Sequence, residues 1–441
     1  MRTTKEAADY LGVSPRRIVA LINSGHLAAA KASGVWLIGD TSLEERAKNP
    51  QRHAGRPRKG SAASETRFLL KNRTYDIAEL IYDSALEEFT SVGALIDADR
   101  APLGLVDTRK RISTIAFNTW WRNRGAPEGR LALIEKLEEK GLVTPFELSV
   151  RSLGLSLSDQ FWICPESSGL EWDELNFFNN GFGKTNMLEL RDLPLRNPDN
   201  TSEGVLPKHW IIKAGQRHLL KGGRLLNQEP YNEVVATALH RRLLKKAGFV
   251  KYQLESFAGL TVSSSRLFVT DKEEYIPAYY VIRTRSKHGH HSDYQHYQEC
   301  CYSLGVEGIE LSLAQMILCD DILANTDRHY RNFGIIRNVE TLLCRPAPLF
   351  DSGTSLWCNK SIEELKREDY SFESKPFNAN PGKQLSLISD LSWVDIGALE
   401  GFVSEAVDIL AENNLMQERM PYIEAGLKHR TERISNICRY L

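Results

Sequence analysis

Three polar residues have the types and the order that phosphoryl transfer requires: Asp327, Asn332 and Asp351. Asn332 follows Asp327 by five positions, and Asp351 comes after a short apolar approach. When phosphate is transferred from a metal-bound nucleotide, one carboxylate accepts or orients the substrate hydroxyl, and an asparagine and a second carboxylate hold the metal ions. We therefore predict that Asp327 is the base or substrate-orienting residue, and that Asn332 and Asp351 bind Mg²⁺ in a site that uses ATP.

The spacing of these residues is one that protein kinases use. Their catalytic loop places an Asp and an Asn five residues apart, and a separate Asp-Phe-Gly segment carries the second carboxylate. Here Asp327-Arg-His-Tyr-Arg-Asn332 keeps the first spacing, and Phe350-Asp351-Ser-Gly353 holds the second Asp in a permuted order. Either segment alone is more simply a turn or a helix cap, because Asp and Asn favour such positions. The two segments together favour a kinase site.

Two longer motifs surround these residues: Thr326-Asp-Arg-His-Tyr-Arg-Asn-Phe-Gly334 and Pro348-Leu-Phe-Asp-Ser-Gly-Thr-Ser-Leu356. They resemble the HipA-like serine/threonine kinases, which are known mainly as toxins of toxin–antitoxin modules. The resemblance covers roughly residues 65–441, most specifically 199–233 and 321–356. It implies an α+β, two-lobed protein-kinase-like fold with a mostly helical C-lobe, and transfer of the ATP γ-phosphate to a Ser or Thr of a protein.

The same resemblance suggests partners. HipA-like toxins usually work beside a separate helix-turn-helix antitoxin, so an antitoxin is one expected partner. Family members phosphorylate aminoacyl-tRNA synthetases, which makes a synthetase a candidate protein substrate, although no residue of this chain points to one. The oligomeric state stays open, with a homodimer among the alternatives.

A kinase also needs a lysine that holds the α- and β-phosphates, placed at the end of the third strand of its first lobe. Lys221 fits this place at the end of a strand predicted over 217–221, and it resembles the strand-ending lysine of the family. Lys213, at the end of the preceding strand, is the alternative. Pro230 opens the next helix, where its missing N–H does no harm. Glu233 in the first turn is the predicted ion-pair partner of Lys221, or else a residue that only favours the helix dipole.

A turn-rich loop, Asp199–Gly204, precedes these strands and suits a phosphate-covering loop, in which small residues let backbone N–H groups approach phosphate. It lacks the Gly-rich motif of ordinary kinases, as the HipA-like pattern also does. Thr201, Ser202 and Gly204 are the candidate phosphate contacts. In the family a Ser of this loop can be autophosphorylated, which makes Ser202 the candidate for that modification.

Residues 265–270 have a β-like composition and are predicted to carry the hinge that touches adenine through backbone groups. Arg266, Phe268 and Val269 are the hinge candidates. Four histidines follow, at positions 288, 290, 291 and 296. They lack the spacing with Cys or carboxylates that known metal sites have, so a polar loop joining the lobes is favoured over a metal site.

The first 48 residues predict a winged helix-turn-helix domain. Ser14 and Pro15 form an N-cap and first helical position, and Arg16 and Arg17 take the first positions of the second helix, which enters the major groove of DNA. His26–Leu27 and Val35–Ile38 flank a predicted two-stranded wing. The pattern resembles the DNA-binding domains of excisionases and MerR-type regulators; a plain helical hairpin is the alternative.

Charge supports a nucleic-acid partner at this end of the chain. Residues 1–60 contain eleven Lys and Arg against five Asp and Glu, a net charge of +6, whereas the chain as a whole has −1. Within the linker at 49–64, Gly55-Arg-Pro-Arg-Lys59 looks like an AT-hook core, whose arginines enter a narrow minor groove. A solvated basic linker is an equal alternative. The predicted DNA contacts are Ser14, Arg16, Arg17, Arg56 and Arg58.

A chain of 441 residues is too long for one hydrophobic core. The predicted divisions are a winged helix-turn-helix domain at 1–48, a basic linker at 49–64, an accessory subdomain at 65–190, a kinase N-lobe at 191–285 and a helical kinase C-lobe at 286–441. Within the accessory subdomain, Leu155–Trp162 resembles a stretch found ahead of the kinase core in a branch of HipA-like proteins, and no chemistry is assigned to it.

The seven cysteines are odd in number and lack Cys-x-x-Cys spacing, which indicates reduced thiols. No apolar run reaches the length of a membrane span and no signal peptide is evident, so a cytoplasmic location without a membrane partner is expected. The leading hypothesis is an ATP-dependent serine/threonine protein kinase of HipA-like toxin type fused to an autoregulatory DNA-binding module. The alternative is a transcriptional regulator whose kinase-like body senses nucleotide without phosphate transfer.

Overall fold

The structure is a computed structural model in which the chain divides into two compact units, residues 1–64 and 65–441. Each unit has a hydrophobic core of its own. In the second unit the described residues are 65–124, 145–182, 208–224, 226–244 and 248–439. In the first unit they are residues 2–4, 7, 10, 18, 22, 29–32, 35–39 and 43.

The first unit contains a small antiparallel sheet. Its strands are β1 (Arg2–Thr3), β2 (Ala29–Ala32) and β3 (Val35–Ile38), in the order β1-β3-β2. The β2–β3 hairpin corresponds to the predicted wing, and its first strand lies at Ala29–Ala32; His26–Leu27 lies outside the described residues. The pairing of Ala32 with Val35 leaves a two-residue connection, Ser-Gly, which is the length of a tight hairpin loop.

The first unit has a small core of apolar side chains. Ala7, Ile18 and Ile22 are buried with Ile38 and Leu43. The predicted DNA contacts Ser14, Arg16, Arg17, Arg56 and Arg58 lie outside the described residues.

The second unit begins with four antiparallel strands: β4 (Glu65–Asn72), β5 (Tyr75–Asp83), β6 (Glu88–Leu95) and β7 (Phe161–Pro165). Their order in the sheet is β6-β5-β4-β7. Three helices accompany them: α1 (Thr114–Arg124), α2 (Pro145–Arg151) and α3 (Trp172–Leu175). Buried aromatic rings join α1 to the sheet, as in the edge-to-face pair of Phe89 and Trp121. These strands and helices lie in the predicted accessory subdomain, residues 65–190, of which the structure describes 65–124 and 145–182.

A second antiparallel sheet carries the lysine predicted to bind phosphate. Its strands are β8 (Lys208–Lys213), β9 (Gln216–Lys221), β10 (Tyr252–Phe257) and β11 (Leu260–Arg266), in the order β10-β11-β9-β8. One helix, α4 (Glu229–Leu243), packs against β10 and β11. The prediction of β structure over 265–270 was wrong in its extent. The amide of Leu267 makes a final bond to Arg217 O at 2.9 Å, and the chain then leaves the sheet.

The remainder of the unit is mostly helical. A three-stranded sheet contains β12 (Glu273–Pro277), β13 (Gly334–Asn338) and β14 (Cys344–Pro346), in that order. Its helices are α5 (Ala278–Val281), α6 (Asp293–Ser303), α7 (Ile309–Leu323), α8 (Ile362–Leu365), α9 (Pro381–Leu385), α10 (Phe402–Ala411) and α11 (Met420–Arg439), with 3₁₀ helices at Ile396–Leu399 and Asn414–Met416. The strand β12 belongs to the predicted N-lobe by sequence, yet it pairs with β13 beyond the predicted boundary at 285.

The mixed α+β class is confirmed by this combination of antiparallel sheets and helices. All seven cysteines are free thiols. Among the residues that the structure describes, no helix combines the length and the apolar composition that crossing a membrane would require.

Gly334 tests the contact between β12 and β13. A Cβ atom at this position would lie 2.1 Å from Ile276 O, so the backbone would have to shift. We predict that Gly334→Ala lowers the free energy of unfolding by about 1–3 kcal/mol or more, measured by urea denaturation. The control is Gly289→Ala, where no atom lies within 4 Å of the added carbon, and where a change within about 0.5 kcal/mol is expected. Equal losses in the two variants would contradict the packing.

Candidate active site

A buried lysine joins two carboxylates at the centre of the site. Lys221 Nζ, at the end of β9, lies 2.8 Å from Glu233 Oε1 and 2.6 Å from Asp351 Oδ1. It also donates to Tyr252 OH at 3.3 Å. The expected ion pair with Glu233 is therefore present. The alternative lysine, Lys213, is half exposed and pairs with Glu255 away from this cluster.

Burial and charge oppose each other in this cluster. Burial alone would lower the pKa of Lys221, but the carboxylates of Asp351 and Glu233 outweigh it and raise that pKa well above its ordinary value. Burial would raise the pKa of Asp351, but the charge of Lys221 holds it below its ordinary value. Burial raises the pKa of Glu233, although Lys221 and the amide of Ser352 oppose that rise. At neutral pH the cluster therefore contains a protonated Lys221 and an ionised Asp351.

The catalytic loop begins where the buried helix α7 ends. Ala324, directly after the helix, adopts a left-handed conformation with φ 50° and turns the chain into the loop. Asn325 Oδ1 accepts a bond from the amide of Asp327 at 3.0 Å, and Asn332 Nδ2 donates to Asp327 O at 2.9 Å. The bond from Asn332 to Asp327 therefore joins the two ends of the loop, at the five-residue spacing seen in the sequence. Because its nitrogen is held by the loop, Asn332 would offer its side-chain oxygen to a cation.

The carboxylate of Asp327 is accessible, with 45% of the side chain exposed, whereas the other members of the site are buried or nearly so. Lys375 Nζ lies 4.0 Å from Asp327 Oδ1. His329 accepts a bond from the amide of Arg331 at Nδ1, at 3.2 Å. An exposed carboxylate suits a group that must meet a substrate hydroxyl from solvent.

Arg328 connects the catalytic loop to the segment that carries Asp351. Its guanidinium forms a two-pronged ion pair with Asp320, at 2.7 and 3.0 Å. It also donates to the carbonyl oxygens of Asn332 at 2.7 Å and Phe350 at 2.5 Å, and to Ser352 Oγ at 3.2 Å. Arg328 is 1% exposed. One buried side chain therefore fixes both predicted metal-binding segments relative to α7.

The segment after Asp351 is held from the other side by α4. Asn232 Nδ2 donates to the carbonyl oxygens of Gly353 and Ser355, both at 2.8 Å. Asp351 itself has a left-handed backbone with φ 60°, a conformation that is uncommon outside Gly, Asn and Asp. The sequence reasoning did not identify Arg328 or Asn232 as organising residues. The only sign of them in the sequence is their position: Arg328 directly follows Asp327, and Asn232 directly precedes Glu233.

A cleft runs from these residues towards β12 and the accessory subdomain. Asn332, Phe350 and Asp351 line it together with Phe268. The rings of Phe268 and Phe350 are stacked with centroids 5.1 Å apart, and this gives the cleft an apolar wall. Of the other hinge candidates, Arg266 ends β11 and is exposed, and Val269 is buried in the hydrophobic core. Thr201, Ser202 and Gly204 lie outside the described residues.

The donors of the site fit a hard divalent cation. Asp351 supplies an ionised carboxylate and Asn332 an amide oxygen, and Mg²⁺ prefers oxygen ligands of this kind, with part of its shell supplied by water and phosphate. The histidine-rich loop offers no such site: His296 Nε2 lies 2.9 Å from Ile282 O inside the fold. No group of three or more His, Cys, Asp or Glu side chains that could hold a metal occurs among the described residues.

Comparison with known proteins gives a sequence match at the amino-terminal end and likenesses to solved structures. A family model described as a helix-turn-helix domain matches residues 3–49, so the chain carries such a domain. The chain is similar to the Helicobacter pylori proinflammatory kinase CtkA, with 16% identity, a TM-score of 0.36, and coverage of 52% of this chain and 95% of that chain. No curated protein matches the chain in sequence.

The second structural likeness is to a chain in the complex of HipA, HipB and operator DNA from the toxin–antitoxin system of Shewanella oneidensis MR-1. The identity is 14% and the TM-score 0.48, and the likeness covers 83% of this chain and 97% of that chain.

The Arg328–Asp320 pair can be tested by stability. Arg328→Met leaves the carboxylate of Asp320 buried without its cation, and we predict a loss of about 3–5 kcal/mol in the free energy of unfolding. The double variant Asp320→Asn with Arg328→Met should recover part of the loss, because the uncompensated charge is gone. Lys366→Met, which breaks an exposed pair with Glu363, is the control and should cost about 1 kcal/mol or less. A loss in Arg328→Met no larger than in this control would contradict the role of Arg328.

Proposed function

We propose that the second unit is an ATP-dependent protein kinase that transfers the γ-phosphate to a Ser or Thr hydroxyl. The observation that carries the proposal is the buried Lys221–Glu233–Asp351 cluster, of which Asp351 lines the cleft together with Asn332. Asn332 in turn donates to the backbone oxygen of Asp327, whose carboxylate is accessible. A kinase requires these five groups together: a lysine for the phosphates, its glutamate partner, two oxygen ligands for the metal and a carboxylate for the substrate.

Each residue has a distinct task in this proposal. Lys221, kept protonated by its carboxylate neighbours, would hold the α- and β-phosphates, and Glu233 would keep its ammonium group in place. Asn332 and Asp351 would hold Mg²⁺, which when bound bridges phosphate oxygens and neutralises their charge. Asp327 would orient the substrate hydroxyl and accept its proton. The role of Ser202 as an autophosphorylation site, and of Thr201 and Gly204 as phosphate contacts, belongs to the same proposal.

We propose further that the helix-turn-helix domain binds DNA, with Ser14, Arg16 and Arg17 at the major groove and Arg56 and Arg58 in the minor groove. The net charge of +6 over residues 1–60 supports a phosphate-backbone partner. With both units in one chain, the protein would repress its own promoter and phosphorylate a cellular target in the cytoplasm. An antitoxin partner and an aminoacyl-tRNA synthetase substrate remain parts of this proposal that come from family resemblance.

A second candidate function is nucleotide sensing without phosphate transfer. One observation favours it: Asp351, a proposed metal ligand, is engaged by Lys221 at 2.6 Å. If that ion pair persisted with nucleotide bound, the metal could not be held for transfer, and the body would act only as a sensor coupled to DNA binding.

Phosphate transfer from radiolabelled ATP to proteins of a cell lysate separates the two functions. We predict labelling by the wild-type chain, and a loss of at least about 100-fold in Asp327→Ala, Asp351→Ala and Lys221→Ala, because each removes a group required in the transition state. Lys213→Ala is the matched control, since this half-exposed lysine ends the neighbouring strand and pairs with Glu255 outside the cluster; it should keep wild-type labelling. Labelling that survives both Asp substitutions would refute the kinase assignment, and mass spectrometry of the labelled band would identify the substrate.

DNA binding can be measured by gel-shift titration with the DNA upstream of the protein's own coding sequence. We predict binding that weakens steeply with salt, and a loss of about tenfold or more in the double variant Arg16→Ala with Arg17→Ala. Arg367→Ala, in the second unit, should bind as the wild type does. Equal affinity for the upstream DNA and for unrelated DNA of the same length would contradict autoregulation.

A further inference from the structure

We propose that residues 156–159 of the accessory subdomain form the wall of the cleft that recognises the ribose of the nucleotide. This rests on the proposed function, because it concerns the same cleft. Residues 156–159 line that cleft together with Asn332 and Asp351. The space beside Asn332 and Asp351, which would receive phosphates, is therefore continuous with a surface that the accessory subdomain contributes.

Hydrogen bonds tie this wall to the segment that follows Phe268. The amide of Tyr275 donates to Ser158 O at 2.7 Å. Gln160 Nε2 donates to the carbonyl oxygens of Thr270 at 3.2 Å and Glu273 at 2.7 Å. Residues 270–275 directly follow Phe268, whose ring lines the cleft. The wall is thus tied to the segment next to the hinge candidate Phe268, where a nucleotide whose phosphates are held by Lys221 would place its nucleoside.

The wall is rigid because a buried arginine holds it. Arg124, from α1, lies 2.5 Å from Asp159 Oδ2 and donates to Gly154 O at 2.7 Å and Phe161 O at 3.0 Å. Asp159 Oδ1 accepts the amide of Phe161 at 2.9 Å. The loop also requires Gly154, since this residue has φ +65° and a Cβ there would lie 2.2 Å from the ring of Trp121. The carboxylate of Asp159 is therefore fixed in one orientation.

The chemistry of this wall suits a sugar with free hydroxyl groups. Ser158 is exposed, and its hydroxyl lies 2.8 Å from that of buried Ser156. The side chain of Asp159 is 15% exposed, and each oxygen retains lone pairs beyond its present bonds. A fixed carboxylate is the group that dinucleotide-binding folds use to accept bonds from ribose hydroxyls. The stacked rings of Phe268 and Phe350 offer an apolar surface for the base beside it. The ligand class is accordingly a ribonucleotide in preference to a deoxyribonucleotide.

Isothermal titration of the full chain with ADP and with 2′,3′-dideoxy-ADP, both with Mg²⁺, tests the inference without turnover. We expect the wild type to bind ADP about tenfold more tightly, which is the effect of a hydrogen bond to a charged group. Asp159→Asn should weaken ADP binding by a similar factor and leave dideoxy-ADP unchanged, so that the preference disappears. Ser158→Ala, which removes an exposed hydroxyl and leaves the fold intact, should reduce the preference by a smaller factor. Asp173→Asn, an exposed residue of the same subdomain that does not line the cleft, is the control and should keep the preference.

The outcomes separate this inference from the proposed function. Equal affinity of the wild type for the two nucleotides would overturn the inference while leaving nucleotide binding in place. Parallel weakening of both nucleotides in Asp159→Asn, with an unchanged ratio, would show that Asp159 only supports the fold, and would overturn it as well. Binding of neither nucleotide to the wild type would overturn the proposed function, and the inference with it.

Discussion

The buried ion pair between Arg328 and Asp320 is the constraint on which the candidate site depends. An arginine without exposure must have its donors satisfied, and here they are satisfied by the carboxylate on α7 and by the backbone of two separate loops. Those loops carry Asn332 and Asp351. Because buried Arg328 must have partners for its donors, it holds the two loops together, and this brings the proposed metal ligands Asn332 and Asp351 to one place.

The second constraint is the cluster around Lys221, which joins three parts of the chain. The lysine comes from a strand, Glu233 from α4 and Asp351 from a loop more than a hundred residues later. Burial works against the charges of Lys221 and Asp351, and the attraction between the two groups keeps both ionised. A nucleotide with its metal would therefore meet charged groups that are already held in position. Such preorganised charges are what stabilises the transition state of phosphoryl transfer.

Local patterns in the sequence predict the parts of the site that are local in the fold. The Asp327–Asn332 spacing corresponds to a closed loop, and Lys221 and Glu233 follow each other on adjacent elements that the apolar periodicity indicates. Asn232 and Arg328 were missed because they bond to residues far along the chain. Asn232 bonds to Gly353, 121 positions away, and Arg328 bonds to Phe350, 22 positions away. No local pattern records such contacts. The end of β11 was misplaced for a related reason, since strand pairing outweighed composition there.

A crystal structure with Mg²⁺ and a non-hydrolysable ATP analogue tests the central claim most directly. The account predicts the metal bound by the side-chain oxygens of Asn332 and Asp351, and phosphates in contact with Lys221. The terminal phosphate would lie on the side of Asp327, and the Lys221–Asp351 ion pair would be opened by the cation. An analogue bound elsewhere, or a metal that leaves both Asn332 and Asp351 uncoordinated, would contradict it.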